Sequence, residues 1–324
     1  MIIRKIIIAL FLWINFLGLT AQDKDIYLAD PTIFYHHGSY FMYGTEKRPQ
    51  RGFPVYVSKN LNEWNLVKNE AHGYALQAGN HAYGTQGFWA PQIFQHQENF
   101  FMIYTANENI AIAKSNSPTG LFTQETIAPI DEKSRKIDPF VFFDDDGKAY
   151  LFHVRLKNGN SIWVAQMNAD LTGIVDKTLK QCVVAIEPWE NTHPEKYPPI
   201  AEGPTVIKHK GTYYLFYSAN DFRNIDYAVG YATAPSPMGP WTKFSGNPII
   251  SRKITGYNGS GHGDVFFDKK SKMHYVFHIH YSDSVVSSRR TMLLDMKFAP
   301  NKKTGIDEIL VDKSSIRKPQ LSVK

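Results

Sequence analysis

The sequence predicts an all-β fold, a propeller of five blades. Three observations carry that prediction. First, a short strand opening on Pro or Gly returns five times, as Asp30-Pro31-Thr32-Ile33-Phe34, Ala90-Pro91-Gln92-Ile93-Phe94, Asp138-Pro139-Phe140-Val141-Phe142, Gly203-Pro204-Thr205-Val206-Ile207 and His262-Gly263-Asp264-Val265-Phe266. Second, each opening leads through a polar turn into an aromatic-rich strand: Tyr40 to Tyr43, Phe100 to Tyr104, Ala149 to His153, Tyr213 to Tyr217 and His274 to His278. Third, the repeat spans several short strands per unit, the signature of radial β-repetition, and no helical periodicity runs far enough to add a second layer.

The elements follow in order. Turns are marked by His37-Gly38, Asp145-Asp146-Gly147, Asn158-Gly159, Lys210-Gly211 and Asn258-Gly259, pairs that supply the backbone conformations hairpins need. The triple acid Asp144-Asp145-Asp146 lacks the alternating ligands and distal Glu of a calcium loop, so it reads as a hairpin turn. A third alternating segment follows in most repeats: Pro54 to Ser58, Ile110 to Ser115, Ser161 to Gln166, Tyr227 to Thr233 and Arg290 to Met296. Trp64 and Trp241 hold matching places in the first and fourth repeats and read as blade packing. The strand completing the last blade is either Asp25 to Leu28 or Ile306 to Val311.

The chain divides into residues 1–21, 22–300 and 301–324. Arg4 and Lys5 precede an apolar run from Ile6 to Leu19 and then Thr20-Ala21, the layout of a secretory signal peptide, too short for an ordinary membrane span. Its removal predicts a secreted or periplasmic protein with no membrane anchor. The formal charge of +6 becomes +4 once Arg4 and Lys5 are gone. No basic cluster interleaves with aromatics along the strands, which argues against a nucleic-acid partner. The single cysteine, Cys182, cannot form an internal disulfide and reads as buried and inert.

Stacking the repeats on the residue before the shared Pro or Gly aligns Asp30, Ala90, Asp138, Gly203 and His262, with Glu202 one position earlier. In a propeller the first strand of each blade lies innermost, so these positions gather at one mouth of the axial channel. A lone Asp-Pro is a common turn device and a lone loop Glu is usually solvated. Recurrence at equivalent repeat positions favours a site instead. Carboxyls crowded in a partly desolvated hollow cannot all ionise freely, which separates their pKa values into acid and base roles.

These residues resemble glycoside hydrolase family 43 from Asp25 to about Pro300. The resemblance rests on Ala29-Asp30-Pro31, Phe88-Trp89-Ala90-Pro91, Ile137-Asp138-Pro139 with Asp145-Asp146-Gly147, Glu202-Gly203-Pro204 with Tyr213-Tyr214-Leu215-Phe216-Tyr217-Ser218, and Gly261-His262-Gly263. It implies an inverting glycosidase with Asp30 as general base, Glu202 as general acid and Asp138 keeping that acid protonated by like-charge repulsion. Single displacement needs acid and base about 6.5–9.5 Å apart to admit a water. The resemblance also implies substrate contacts from His262 and Arg289, with Arg290 on the opposite side of its strand. Trp89, level with Glu202, is a candidate wall of the sugar pocket. No cofactor is implied, while a calcium or sodium ion in the axial channel, near His262, stays open.

The implied carbohydrate substrates are arabinofuranosides and xylosides, less often galactans or galactofuranosides, with exo α-L-arabinofuranosidase or β-xylosidase first. The loop from Ala71 to Gly87, rich in His, Tyr and Gly, is expected to build the pocket rim and so favour exo action. Fructoside-cleaving relatives carry an Arg before the second Asp and a Cys after the Glu, where this chain has Ile137 and Gly203. A catalytically silent carbohydrate-binding propeller is the non-enzyme alternative, but it would be expected to have lost one of the three carboxylates.

Overall fold

A computed structural model describes residues 24–48, 50–131 and 134–322. The segment read as a signal peptide lies outside them. The described chain forms the five expected blades, each starting at the axis and running outward through antiparallel neighbours. Blade 1 contains Ala29–His36, Ser39–Thr45, Tyr56–Ser58 and Glu63–Leu66; blade 2 contains Trp89–His96, Asn99–Ala106 and Asn109–Ser115. Blade 3 is built from Lys136–Phe143, Ala149–Leu156, Asn160–Gln166 and Lys180–Val184, and blade 4 from Ala201–His209, Thr212–Ala219, Ala228–Ala234 and Thr242–Lys243. Gly261–Phe267, Met273–Ile279, Arg290–Ala299 and Glu308–Arg317 make blade 5.

The alternation of apolar and polar residues along these strands buries five hydrophobic clusters, one at each blade-to-blade junction. Tyr43, Phe53, Phe88 and Tyr104 fill the wedge between blades 1 and 2. Leu151 and Phe94 meet between blades 2 and 3, Val154 and Tyr217 between 3 and 4, Phe216 and Tyr275 between 4 and 5, and Trp64 and Val276 between 5 and 1. Such a core leaves the axis lined by backbone and short side chains, as blades that taper inward require. Trp64 is fully buried and its indole N–H donates to the Leu61 carbonyl. Trp241 meets Phe152 edge to face at 5.9 Å.

The last blade takes its outer strand from Glu308–Arg317, so the later of the two expected segments closes the sheet. The chain then crosses to blade 1, where Gln320–Leu321 pairs in parallel with Glu63–Leu66. Asp25 bridges Gln320 rather than joining blade 5. Cys182 is half buried, and burial pushes its thiol up to about 12.

Each innermost strand breaks its register with a bulge in the same place, between Ala29 and Thr32, Trp89 and Gln92, Ile137 and Phe140, Glu202 and Thr205, and Gly261 and Gly263. The first residue inside each bulge is the one that precedes the shared Pro or Gly. All five of these residues, Asp30, Ala90, Asp138, Gly203 and His262, are left-handed, with φ between +39° and +60°. An extra residue in one strand re-aims a side chain, and here it turns those of Asp30, Ala90, Asp138 and His262 towards the channel mouth.

Candidate active site

The three carboxyls arrive at one pocket from three blades. Asp30 leaves blade 1, Asp138 blade 3 and Glu202 blade 4, and all three are buried. They line a cavity of about 310 Å³ together with Trp89, Phe222, His262 and Arg289. A wider groove of about 960 Å³ runs along the flank past Asn99, Lys114 and Asp170, and none of the three carboxyls lines it. The chemistry therefore sits in the smaller cavity, at the end of the channel that the bulges face.

Asp30 is held from three sides. The Thr45 hydroxyl donates to Oδ2 at 2.7 Å, Arg289 donates to Oδ1 at 3.1 Å, and Nδ1 of His262 stands 3.3 Å from Oδ1. Burial alone would raise this carboxyl, but the Arg289 charge, His262 and the Thr45 hydroxyl together bring it below the ordinary value. Arg289 lies with its guanidinium 4.8 Å over the Phe222 ring and reaches Nε2 of His278 at 3.3 Å. Arg290, the first residue of its strand, instead donates to Asp25, so the two arginines part to different sites as expected.

Glu202 accepts from the Tyr227 hydroxyl at 2.8 Å on one oxygen and from Asn160 at 2.8 Å on the other. Both bonds favour the ionised form, yet burial dominates, and the nearby Asp30 and Asp221 carboxylates add to it. The acid is pushed up to about 7. Asp138 accepts from the Gly203 amide at 3.2 Å and lies 3.9 Å from Nδ1 of His262. Burial first, then repulsion from Glu202 and Asp30, raises it well above the carboxylate range. The expected repulsion between Asp138 and Glu202 thus registers on Asp138, whereas burial is the main cause of the raised Glu202.

His262 is buried and its own pKa is lowered by that burial. Its ring covers Gly203, where an added Cβ would lie 2.7 Å from the imidazole. The glycines around His262 allow close approach of other parts of the protein: a Cβ on Gly261 would stand 2.4 Å from the Tyr227 ring, and one on Gly263 would overlap the Val276 carbonyl. Beneath the pocket the channel narrows to about 30 Å³ between Asp264, Gln92 and Thr205, room for little more than a water. Asp264 there accepts from Thr32 and Thr205 and is pushed up to about 6 by burial. Among the described residues no group of three or more His, Cys, Asp or Glu side chains is placed to hold a metal ion.

One expectation fails. No residue from Ala71 to Gly87 lines the pocket. Tyr74–Gln77 pairs instead with Gly52–Pro54, and Ala75 and Leu76 are buried in the wedge between blades 1 and 2. Glu108, Leu156, Asn160, Ile200, Asp221 and Phe222 line the cavity in its place. Sequence reasoning also missed Thr45, Asn160, Tyr227 and His278. For Thr45 and His278 a signal exists: extending the repeat alignment to the ends of the second strands stacks Thr45, Thr105, Ser218 and His278. Asn160 and Tyr227 carry no signal apart from their strands.

Residues 25–303 match glycosyl hydrolases family 43. The chain belongs to that family. Its members hydrolyse glycosidic bonds, and the family 43 chain described here is therefore a glycoside hydrolase with a carbohydrate substrate. It is 38% identical to an endo-1,4-beta-xylanase from Bacteroides thetaiotaomicron, with a TM-score of 0.83 and 92% of this chain and 98% of that one covered. A thermostable family-43 glycoside hydrolase is 32% identical, with a TM-score of 0.79 over the same shares of the two chains. Among curated relatives, the beta-D-galactofuranosidase xynD of Aspergillus niger is 23% identical, matching 83% of this chain and 79% of its own length. Xylosidase/arabinosidase 43B of Humicola insolens is 24% identical over 77% of this chain and 47% of its own length. No helix among the described residues is long and apolar enough to cross a membrane.

Proposed function

We propose that this family 43 hydrolase is an inverting, exo-acting pentosidase that removes arabinofuranosyl or xylosyl residues, with Asp30 as general base, Glu202 as general acid and Asp138 as the carboxyl that tunes and orients the acid. The observation that carries this reading is the opposite displacement of two buried carboxyls in one pocket, Asp30 lowered and Glu202 raised to about 7. A base that stays ionised and an acid that stays protonated near neutrality are what a single displacement requires. Asp30 takes a proton from the attacking water while Glu202 gives its proton to the leaving oxygen, and the sugar is released with inverted configuration. In this reading no cofactor takes part. Arg289, His262 and Trp89 bind the sugar.

The substrate class rests on the pocket. Its volume of about 310 Å³ lies at the small end for ligand sites, which suits a terminal sugar. Even with Asp138 and Glu202 protonated, Asp30, Glu108 and Asp221 line it against the single guanidinium of Arg289, a balance that favours neutral sugars over uronic acids. The names of the Humicola and Bacteroides relatives support a pentoside. The Aspergillus relative supports a second reading, a β-galactofuranosidase. We infer export as well, from the leader-like residues 1–21; the mass of the mature N-terminus checks it.

The deciding assay is release of nitrophenol from α-L-arabinofuranoside, β-D-xyloside and β-D-galactofuranoside, with the anomer of the first product followed by NMR. Pentose release with inversion is expected, and Glu202→Gln should lose nearly all turnover while still binding sugar. Retention of configuration, or a fully active Glu202→Gln, overturns the assignment. Inertness towards all three glycosides and towards xylan and arabinan would leave only sugar binding.

A further inference from the structure

The five bulged residues at the channel mouth each turn a backbone N–H towards a neighbouring blade. Four of these amides have the same kind of partner, the side chain at the end of the second strand of the preceding blade. Asp30 donates to Nδ1 of His278 at 3.2 Å, Ala90 to the Thr45 hydroxyl at 3.0 Å, Asp138 to Thr105 at 2.9 Å and His262 to Ser218 at 2.8 Å. These side chains hold equivalent places in the register, opposite Ala29, Trp89, Glu202 and Gly261. Blade 3 breaks the series. There the residue opposite Ile137 is Val154, buried in the wedge between blades 3 and 4, with nothing to accept a hydrogen bond. The amide that would have used it is that of Gly203, and it donates to Oδ2 of Asp138.

We propose that Val154 is a positioning residue: by being apolar in the one slot where the other blades carry a hydrogen-bond acceptor, it releases the Gly203 amide to hold the carboxyl of Asp138. A buried amide must find a partner, and with the slot empty the nearest acceptor is the tuning carboxyl itself. The bond ties Asp138 to the residue that follows Glu202, so the two carboxyls keep their spacing through one backbone contact between blades 3 and 4. It also explains why equivalent aspartates differ. Asp30 has the hydroxyl of Thr45 from its own blade, whereas Asp138 has no such donor and relies on an amide from the next blade. The inference rests on the reading of Asp138 and Glu202 as catalytic carboxyls, but the contact itself can be tested without activity.

The experiment follows the Gly203 amide proton by NMR through a pH titration of the full-length mature protein. In the unaltered protein its resonance should move with the ionisation of Asp138, and Asp138→Asn should abolish the movement. Val154→Thr, nearly isosteric, offers the hydroxyl the other blades have; the amide should turn to it and stop titrating with Asp138. Val154→Ala removes volume without adding an acceptor, so the amide should go on titrating. In Val154→Thr, kcat should fall by up to about tenfold with KM little changed, the order expected for one lost neutral hydrogen bond. An amide that does not titrate in the unaltered protein, titrates unchanged in Val154→Thr, or is lost equally in Val154→Ala overturns the assignment, and so does an undiminished kcat once the contact is gone. If the amide behaves as expected while Glu202→Gln stays active, the catalytic reading fails and the hydrogen-bond assignment stands.

Discussion

Asp30 and Glu202 are both buried carboxyls, and their neighbours decide which one keeps its proton. Burial raises each; only Asp30 has Arg289, His262 and the Thr45 hydroxyl beside it, which together reverse the effect. The sign of the pH dependence follows. Asp30 must be ionised, so activity is lost on the acid side only as pH falls through its lowered value. Glu202 must be protonated, so activity falls as pH rises through about 7. Tyr227 donates to Glu202 and favours its ionised form, hence Tyr227→Phe should raise the acid and carry the alkaline limb of kcat/KM to higher pH. A limb that stays in place or moves down would remove Tyr227 from the control of the acid. At this scale the repeats showed the three carboxyls and His262, and the family resemblance pointed to Arg289. The sequence could not show Tyr227, which reaches Glu202 across its own blade, or Asn160, whose contact with Glu202 depends on how blades 3 and 4 lean together.

The bulge that opens each blade is the element that makes the site. It accounts for a Gly at the fourth repeat, where the others carry Asp, Ala, Asp and His: the His262 ring occupies the space of a side chain, and the backbone is left-handed. Gly203→Ala should therefore lower stability by about 1–3 kcal/mol, the usual range for overpacking, and displace His262 from Asp30. Urea unfolding checks the first effect, and unaltered stability would mean that the ring gives way freely. Strand positions were legible because apolar alternation and turn residues are local signals. The segment from Ala71 to Gly87 misled for the same reason. Its His, Tyr and Gly content suits a pocket rim, but composition does not tell a loop that lies over a cavity from one whose Ala75 and Leu76 fold into a wedge between blades.

A ring of wedges must be closed, and this one is closed by the tail. Gln320, Leu321 and Ser322 donate backbone bonds to Asn62, Lys24 and Trp64, and the Gln320 side chain donates to Asp25. At about 1 kcal/mol per net hydrogen bond, with some entropy returned, removal of residues 319–324 should cost about 2–4 kcal/mol and lower Tm by roughly 5–10 °C. A thermal melt tests this, and an unchanged Tm would show that the outer strand of blade 5 closes the ring unaided. Both candidate segments were visible in the sequence, Asp25 to Leu28 and Ile306 to Val311. The strand that completes blade 5 pairs with its neighbour in sequence, Ala299 opposite Glu308 and Leu293 opposite Arg317, whereas the other segment would have paired across almost the whole chain; alternation alone does not choose between the two.

The sequence by itself determined the number of blades, the innermost strands and the residues that face the channel, because those follow from a repeat and from the two-residue period of a strand. The tertiary structure decided which carboxyl is lowered and which raised, which amide holds Asp138 and what walls the pocket. Those depend on distances between blades, where a guanidinium at 3.1 Å from Asp30 joins an imidazole and a hydroxyl to outweigh burial and a valine in place of a hydroxyl redirects a hydrogen bond.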